Sequence, residues 1–226
     1  GGAGRGMGVI FTLHHVLGES RRSFHPNRIL EVTPDFLQSV IVTVRQRGFE
    51  IVSLDEACRR ILSPANLPPF VCFTFDDAAR DIRTHAYPVL KRNNCPFTVY
   101  AATAFTQGEG EAWWLVLEQV IRNNDVVEID IGGALRRFET VGADEKEAAY
   151  DEIYWSLHGD DQYSQRRRMG RIAKTHGVDM AKLCRDKFMD WDDLRELAAD
   201  PLVTIGAHSV NHYALAKLPE DEARAE

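Results

Sequence analysis

The stretch that decides the fold is FVCFTFDDAARD, residues 70–81. Six mostly apolar residues, Phe70 to Phe75, run straight into two adjacent carboxylates, Asp76 and Asp77. An apolar run of this length without polar alternation predicts a strand covered on both faces. Like charges in contact cost free energy unless a cation or a proton neutralises one of them. The end of this strand therefore raises a chemical question as well as a structural one.

Upstream, GVIFTLHHV (8–16) reads as another buried strand. In VTPDFLQSVIVTVRQRGF (32–49), Thr33 is the expected N-cap and Pro34 suits the first helical position. Phe36, Leu37, Val40, Ile41 and Val44 recur at helical spacing, and Gly48 is the expected stop. FEIVSL (49–54) is a short strand, and SLDEACRRIL (53–62) opens on a capping box of Ser53 and Glu56. Downstream, ARDIRTHAYPVLKRNN (79–94) is a helix that Pro88 kinks or bounds, and PFTVYAATAF (96–105) is a fourth strand. Strands alternating with helices at this spacing argue for a parallel sheet with crossover helices.

The rhythm breaks from about residue 106 to about 190, where the pattern is helical and polar. EAWWLVLEQVIRNND (111–125) is amphipathic, VVEIDIGG and RRFET suggest a hairpin, and two more helices follow. The segment reads as an inserted helical subdomain. Trp113, Trp114 and Trp155 either line a substrate groove or pack the insertion on the main body. The βα rhythm returns with WDDLRELAAD (191–200) and PLVTIGA (201–207).

The chain has 226 residues, 44% hydrophobic and 27% charged, enough for one large domain or two small ones. Its net charge of −7 argues against a nucleic-acid binder working by phosphate neutralisation. The one dense basic run, Arg166 to Arg168, reads as a solvated helix face. Cys58, Cys72, Cys95 and Cys184 lack metal or redox spacing and suit free thiols, though four could also pair. Residues 1–7 read as a leader or tag remnant. With no apolar run long enough for a signal peptide or membrane span, a cytoplasmic location is expected, with an exported protein missing its leader as the alternative.

In parallel α/β proteins, ligands bind beyond the carboxyl ends of strands. Asp76 and Asp77 fall there, as do His208 and His212 after VTIGA, and His14 and His15 after the first strand. His208 and His212 are four apart, which on a helical turn puts both rings on one face. Two imidazoles, one carboxylate and an open position make a catalytic zinc site. The bland alternatives are an N-cap with a first-turn carboxylate for Asp76–Asp77 and no function for the histidine pair. The same donor set also serves non-haem iron oxygenases. His14 and His15 point to opposite faces of a strand, so at most one enters the mouth.

FTFDDA resembles the TFDDG motif of the polysaccharide deacetylases, the NodB-homology or carbohydrate esterase family 4 domain. IGAHSVNHYALAKL resembles that family's H-[ST]-x-x-H motif, and LHHV resembles the YHHV opening of one branch. The resemblance covers residues 8 to about 105 and 188 to 226. It implies a distorted, incomplete (β/α)7 barrel over residues 8–226, carrying the helical insertion at about 106–190. It also implies a hydrolase acting on the C–N bond of N-acetylated amino sugars in a glycan, with a divalent metal, zinc expected. By position Asp76 is similar to the catalytic base, Asp77 to a metal ligand, and His208 and His212 to the metal-binding histidines. His14 and Tyr100 are candidates for the mouth. Two departures stand out. Ala78 replaces the family's usual glycine, which is a strain if the backbone there has positive φ. The family's later motifs, including the histidine that carries the general acid, have no counterpart before Glu226. The chain is therefore expected to be an incomplete barrel whose open edge favours self-association. The alternative function is a sugar-binding remnant that lacks the acid.

Overall fold

The computed structural model describes residues 6–20, 22–62 and 67–226, so residues 1–5 of the expected leader lie outside the described residues. In chain order the elements are β1 (Gly8–Leu13), β2 (His15–Val16), β3 (Glu31–Val32), α1 (Pro34–Gln46), β4 (Glu50–Ile51), α2 (Leu54–Leu62) and β5 (Phe70–Phe75). One turn of π-helix, Ile82–Ala86, leads into α3 (Tyr87–Arg92), β6 (Phe97–Ala101), α4 (Thr103–Thr106) and α5 (Trp113–Asn123). Then come β7 (Val126–Ile131), β8 (Ala134–Glu139), α6 (Ala143–Gly159), α7 (Gln162–Thr175), α8 (Met180–Lys187), α9 (Trp191–Ala198), β9 (Val203–Ala207) and α10 (Glu220–Ala225).

The chain divides into two units. The first comprises Gly1–Glu19, Leu30–Ala102 and Lys187–His208. It holds a parallel sheet in the order β1-β5-β6-β9, with β4 also paired to the start of β5. This is an α/β fold of parallel strands joined by crossover helices. The run that looked continuous in sequence splits by parity, as a strand's period of two requires. Val71, Phe73 and Phe75 join Leu37 and Ile41 of α1, Leu90 of α3 and Leu194 and Leu197 of α9 in one core. Phe70 and Cys72 join Val52 and Ala57 in a second core on the other face. All six residues of β5 are buried.

Local chemistry sets the helix ends. Thr33 Oγ1 accepts the Phe36 N–H at 3.1 Å, Pro34 begins α1, and Gly48 follows it at φ 79. Ser53 accepts the Glu56 N–H at 3.2 Å, while the Glu56 carboxylate turns to Arg59 and Arg60 instead of closing a capping box. Pro88 sits in the first turn of α3, so it marks a boundary. The stretch 8–16 is not one buried strand. It breaks at His14, and His15–Val16 leaves the main sheet to pair in parallel with Glu31–Val32. Among the described residues β1 is an edge strand, and its Val9 and Ile10 are exposed.

The second unit comprises Ser20–Ile29, Thr103–Asp186 and Ser209–Glu226. The hairpin β7–β8 turns on Gly132 and Gly133, both at positive φ (64 and 85), the conformation a tight two-residue loop demands. Trp113 and Trp114 are buried with Leu117, Ile121, Ile153 and Leu157, so these two indoles pack the unit, whereas Trp155 is 65% exposed. Asn27 donates to the buried Glu118 carboxylate at 2.6 Å and accepts from Tyr150 at 3.0 Å. One basic residue overturns its sequence reading. Arg166 is not on a solvated face but only 7% exposed, while Arg167 is exposed. Cys58, Cys72, Cys95 and Cys184 are free thiols.

Candidate metal centre

The sheet register aligns Leu13 with Phe75, Phe75 with Val99, and Val99 with Ile205. The residues just beyond these positions therefore leave one rim. The Asp76 N–H donates to Leu13 C=O at 2.9 Å, carrying the ladder one residue past β5. The backbone then reverses through Asp77 (φ 68) and Ala78 (φ 54), both left-handed without being glycine. Each such residue costs about 1–2 kcal/mol, and outliers of this kind persist where the surroundings over-determine them. Here Ala78 C=O accepts the Met189 N–H at 2.9 Å, Ala79 bridges to Phe188, and both alanines are fully buried. The turn leaves Asp77 only 3% exposed.

His208 continues the β6–β9 ladder, its N–H donating to Ala101 C=O at 3.0 Å. Its Nε2 lies 3.5 Å from Asp77 Oδ1. The Tyr100 ring lies 6.4 Å from the His208 ring and directly over Gly206, where a Cβ would come within 2.6 Å of it. Burial, with the Asp76 charge, pushes the Tyr100 phenol up from its ordinary pKa.

His208 and His212 do not share a helical face as their spacing suggests. Residues 208–212 form an open turn with two further left-handed residues, Ser209 (φ 61) and His212 (φ 57). The His212 N–H donates to Ser209 Oγ at 3.1 Å. The Glu226 carboxylate accepts the Val210 and Asn211 N–H groups at 3.2 and 2.7 Å. Phe105 and Trp114 pack on the His212 ring at 5.5 and 5.3 Å.

One ligand atom from each of Asp77, His208 and His212 lies within 4.8 Å of the others. A buried carboxylate and two imidazoles fit a first-row divalent ion such as zinc by donor type and number. Asp76 stands outside this group. Its Oδ2 lies 4.0 Å from His14 Nε2. Of the histidine pair, His14 lies beside Asp76, whereas His15 pairs with Asp81. His15 Nδ1 binds Asp81 Oδ2 at 2.8 Å, and the other Asp81 oxygen accepts the Val16 N–H at 2.7 Å. Burial disfavours the charged imidazole. The Asp81 hydrogen bond and the charges of Asp81, Asp77 and Glu31 outweigh it, so the His15 pKa is raised. Asp81 was not singled out from sequence, although a carboxylate four residues after Asp77, ahead of a helix, is a ready partner for a histidine at the neighbouring strand end.

Neither a protein-family model nor a curated protein sequence matches the chain. Similar solved structures include a de-N-acetylase from Aggregatibacter actinomycetemcomitans, 15% identical, which covers 88% of this chain and 53% of its own at a TM-score of 0.46. The BpsB deacetylase domain from Bordetella bronchiseptica is 18% identical, with 89% of this chain and 54% of that one covered at 0.42. The Streptococcus pyogenes deacetylase PplD in complex with acetate is 18% identical, with 96% and 62% covered at 0.46. The chain thus spans roughly half to three-fifths of the length of these structures. All three of these structures are named as deacetylases or de-N-acetylases.

Proposed function

We propose that the chain is a metal-dependent hydrolase that removes N-acetyl groups from amino sugars of a polysaccharide or oligosaccharide. The observation that carries this reading is the meeting of Asp77, His208 and His212 beside a second, separately placed carboxylate, Asp76. Asp77, His208 and His212 would hold the divalent ion, with zinc expected, which when bound supplies Lewis acidity toward an acetamide carbonyl and a water of lowered pKa. Asp76 takes the proton of the attacking water as its oxygen bonds to the acetyl carbon. His14, across from Asp76, delivers a proton to the sugar nitrogen as the C–N bond breaks, giving acetate and a free amine. Tyr100 borders the place where the acetamide would sit.

The same reading assigns the first unit to an incomplete, distorted barrel and the helical segment to an insertion in it. Self-association through the open β1 edge belongs to the proposal too, with exposed Val9 and Ile10 as its apolar contacts. No described helix is long and apolar enough to cross a membrane.

Zinc content and acetate release from chitooligosaccharide test the function. Asp77→Ala and His208→Ala are expected to lose zinc. Asp76→Asn keeps it and loses turnover by about 10²–10⁴-fold. Zinc retained in full by both of the first two variants refutes the assignment. Stoichiometric zinc in the wild-type chain without turnover favours the sugar-binding remnant.

A further inference from the structure

We infer that Arg166 is a positioning residue that holds the His212 turn in its left-handed conformation, given the ligand role proposed for His212. Arg166 lies on α7, 7% exposed, in a unit whose other arginines mostly reach solvent. One of its nitrogens donates to the carbonyls of Asn211 and His212 at 3.4 and 3.3 Å. Another donates to the Glu111 carbonyl, and Nε stands 3.9 Å from the Glu111 carboxylate. The guanidinium lies over the Tyr213 ring at 5.3 Å.

A buried guanidinium is costly unless its donors find acceptors. Here two of those acceptors are the consecutive carbonyls that flank the φ 57 residue. A left-handed histidine needs an external clamp, and two adjacent carbonyls turned toward one cation provide it. The Glu226 carboxylate receives the amides of Val210 and Asn211, so the turn is gripped by opposite charges through its N–H and C=O groups. With Phe105 and Trp114 against the imidazole, backbone and ring of His212 are both fixed.

Arg166→Met and Arg166→Lys test this, with near-ultraviolet circular dichroism to confirm folding. Lys keeps the charge and stem but cannot present a planar fork, so it decides the matter if the Met variant fails to fold. Amide hydrogen exchange across residues 209–213, measured without metal, is expected to speed up at least tenfold. Zinc affinity, measured by competition with a chromogenic chelator, is expected to fall by about 10–100-fold, as for other residues that orient a ligand. A folded variant with wild-type exchange overturns the inference, as does one with faster exchange but unchanged zinc affinity. A wild-type chain that binds no zinc instead overturns the metal reading, and the exchange measurement still decides whether Arg166 holds the turn.

Discussion

Replacing Asp81 separates the clamp behind the site from the site itself. Asp81 ties the His15 ring and the Val16 amide to the segment after β5. Val16 is fully buried, and the His15 and Asp81 side chains are 9% and 13% exposed. In Asp81→Ala the Val16 N–H loses its acceptor, which costs about 1–3 kcal/mol, and the hydrogen bond to a charged imidazole, worth about 1.5–3 kcal/mol, is lost as well. Together these come to about 2.5–6 kcal/mol, which brackets the about 3–5 kcal/mol typical of breaking one side of a buried pair. That is a large share of a domain's typical stability of about 5–15 kcal/mol. Asp81→Asn keeps the shape and an acceptor for Val16, and is expected to cost less than half as much. The pH dependence fixes the sign. Because the folded pKa of His15 is raised, the charged pair contributes fully below the unfolded value of about 6.5 and fades as pH rises through the raised one. Urea unfolding of the wild type and both variants, from pH 6 to pH 9, checks this. A cost for Asp81→Ala under about 1 kcal/mol at pH 6, or one that grows with pH, refutes the reasoning.

At Ala78 the strain of φ 54 is relieved by glycine, but a buried methyl and unfolded-state entropy oppose the gain. Ala78→Gly is therefore expected to change stability by less than about 1 kcal/mol, whereas Ala78→Val, overpacked in a core, loses at least about 1–3 kcal/mol by denaturant titration. Burial pushes the Cys72 thiol up to about 11, so iodoacetamide at pH 8 is expected to label exposed Cys58 and spare Cys72, Cys95 and Cys184, as peptide mass spectrometry would show. Gly206→Ala places a methyl against the Tyr100 ring, next to His208, and is expected to lower acetate release more than stability. Equal losses in both would make Gly206 a packing residue only. Charging the β1 edge by Ile10→Lys is expected to shift any dimer to monomer in sedimentation velocity, and an unchanged dimer would place its contact elsewhere.

Much of the first unit was legible because single residues carry a local rule. Thr33, Pro34 and Gly48 fixed α1, and the unbroken apolar run of β5 meant cover on both faces. The proposed ligands were legible as two motifs, but the geometry that joins them was not. Ser209 and His212 adopt positive φ without a glycine to announce it, so a helical turn was the natural reading of their spacing. Nor does composition mark the break at His14, because Leu13 and Val16 are apolar on either side while tertiary pairing sends them to different sheets. Arg166 was hidden in a run of three arginines, although a signal existed. It falls in phase with Gln162, Met169 and Ala173, the inward stripe of α7.

Crystals soaked in zinc and measured at the zinc absorption edge would show whether Asp77, His208 and His212 bind one ion. One strong anomalous peak is expected within about 2.0–2.2 Å of a ligand atom on each of Asp77, His208 and His212, with Asp76 uncoordinated. A peak at other side chains, or no peak where these three meet, contradicts this expectation.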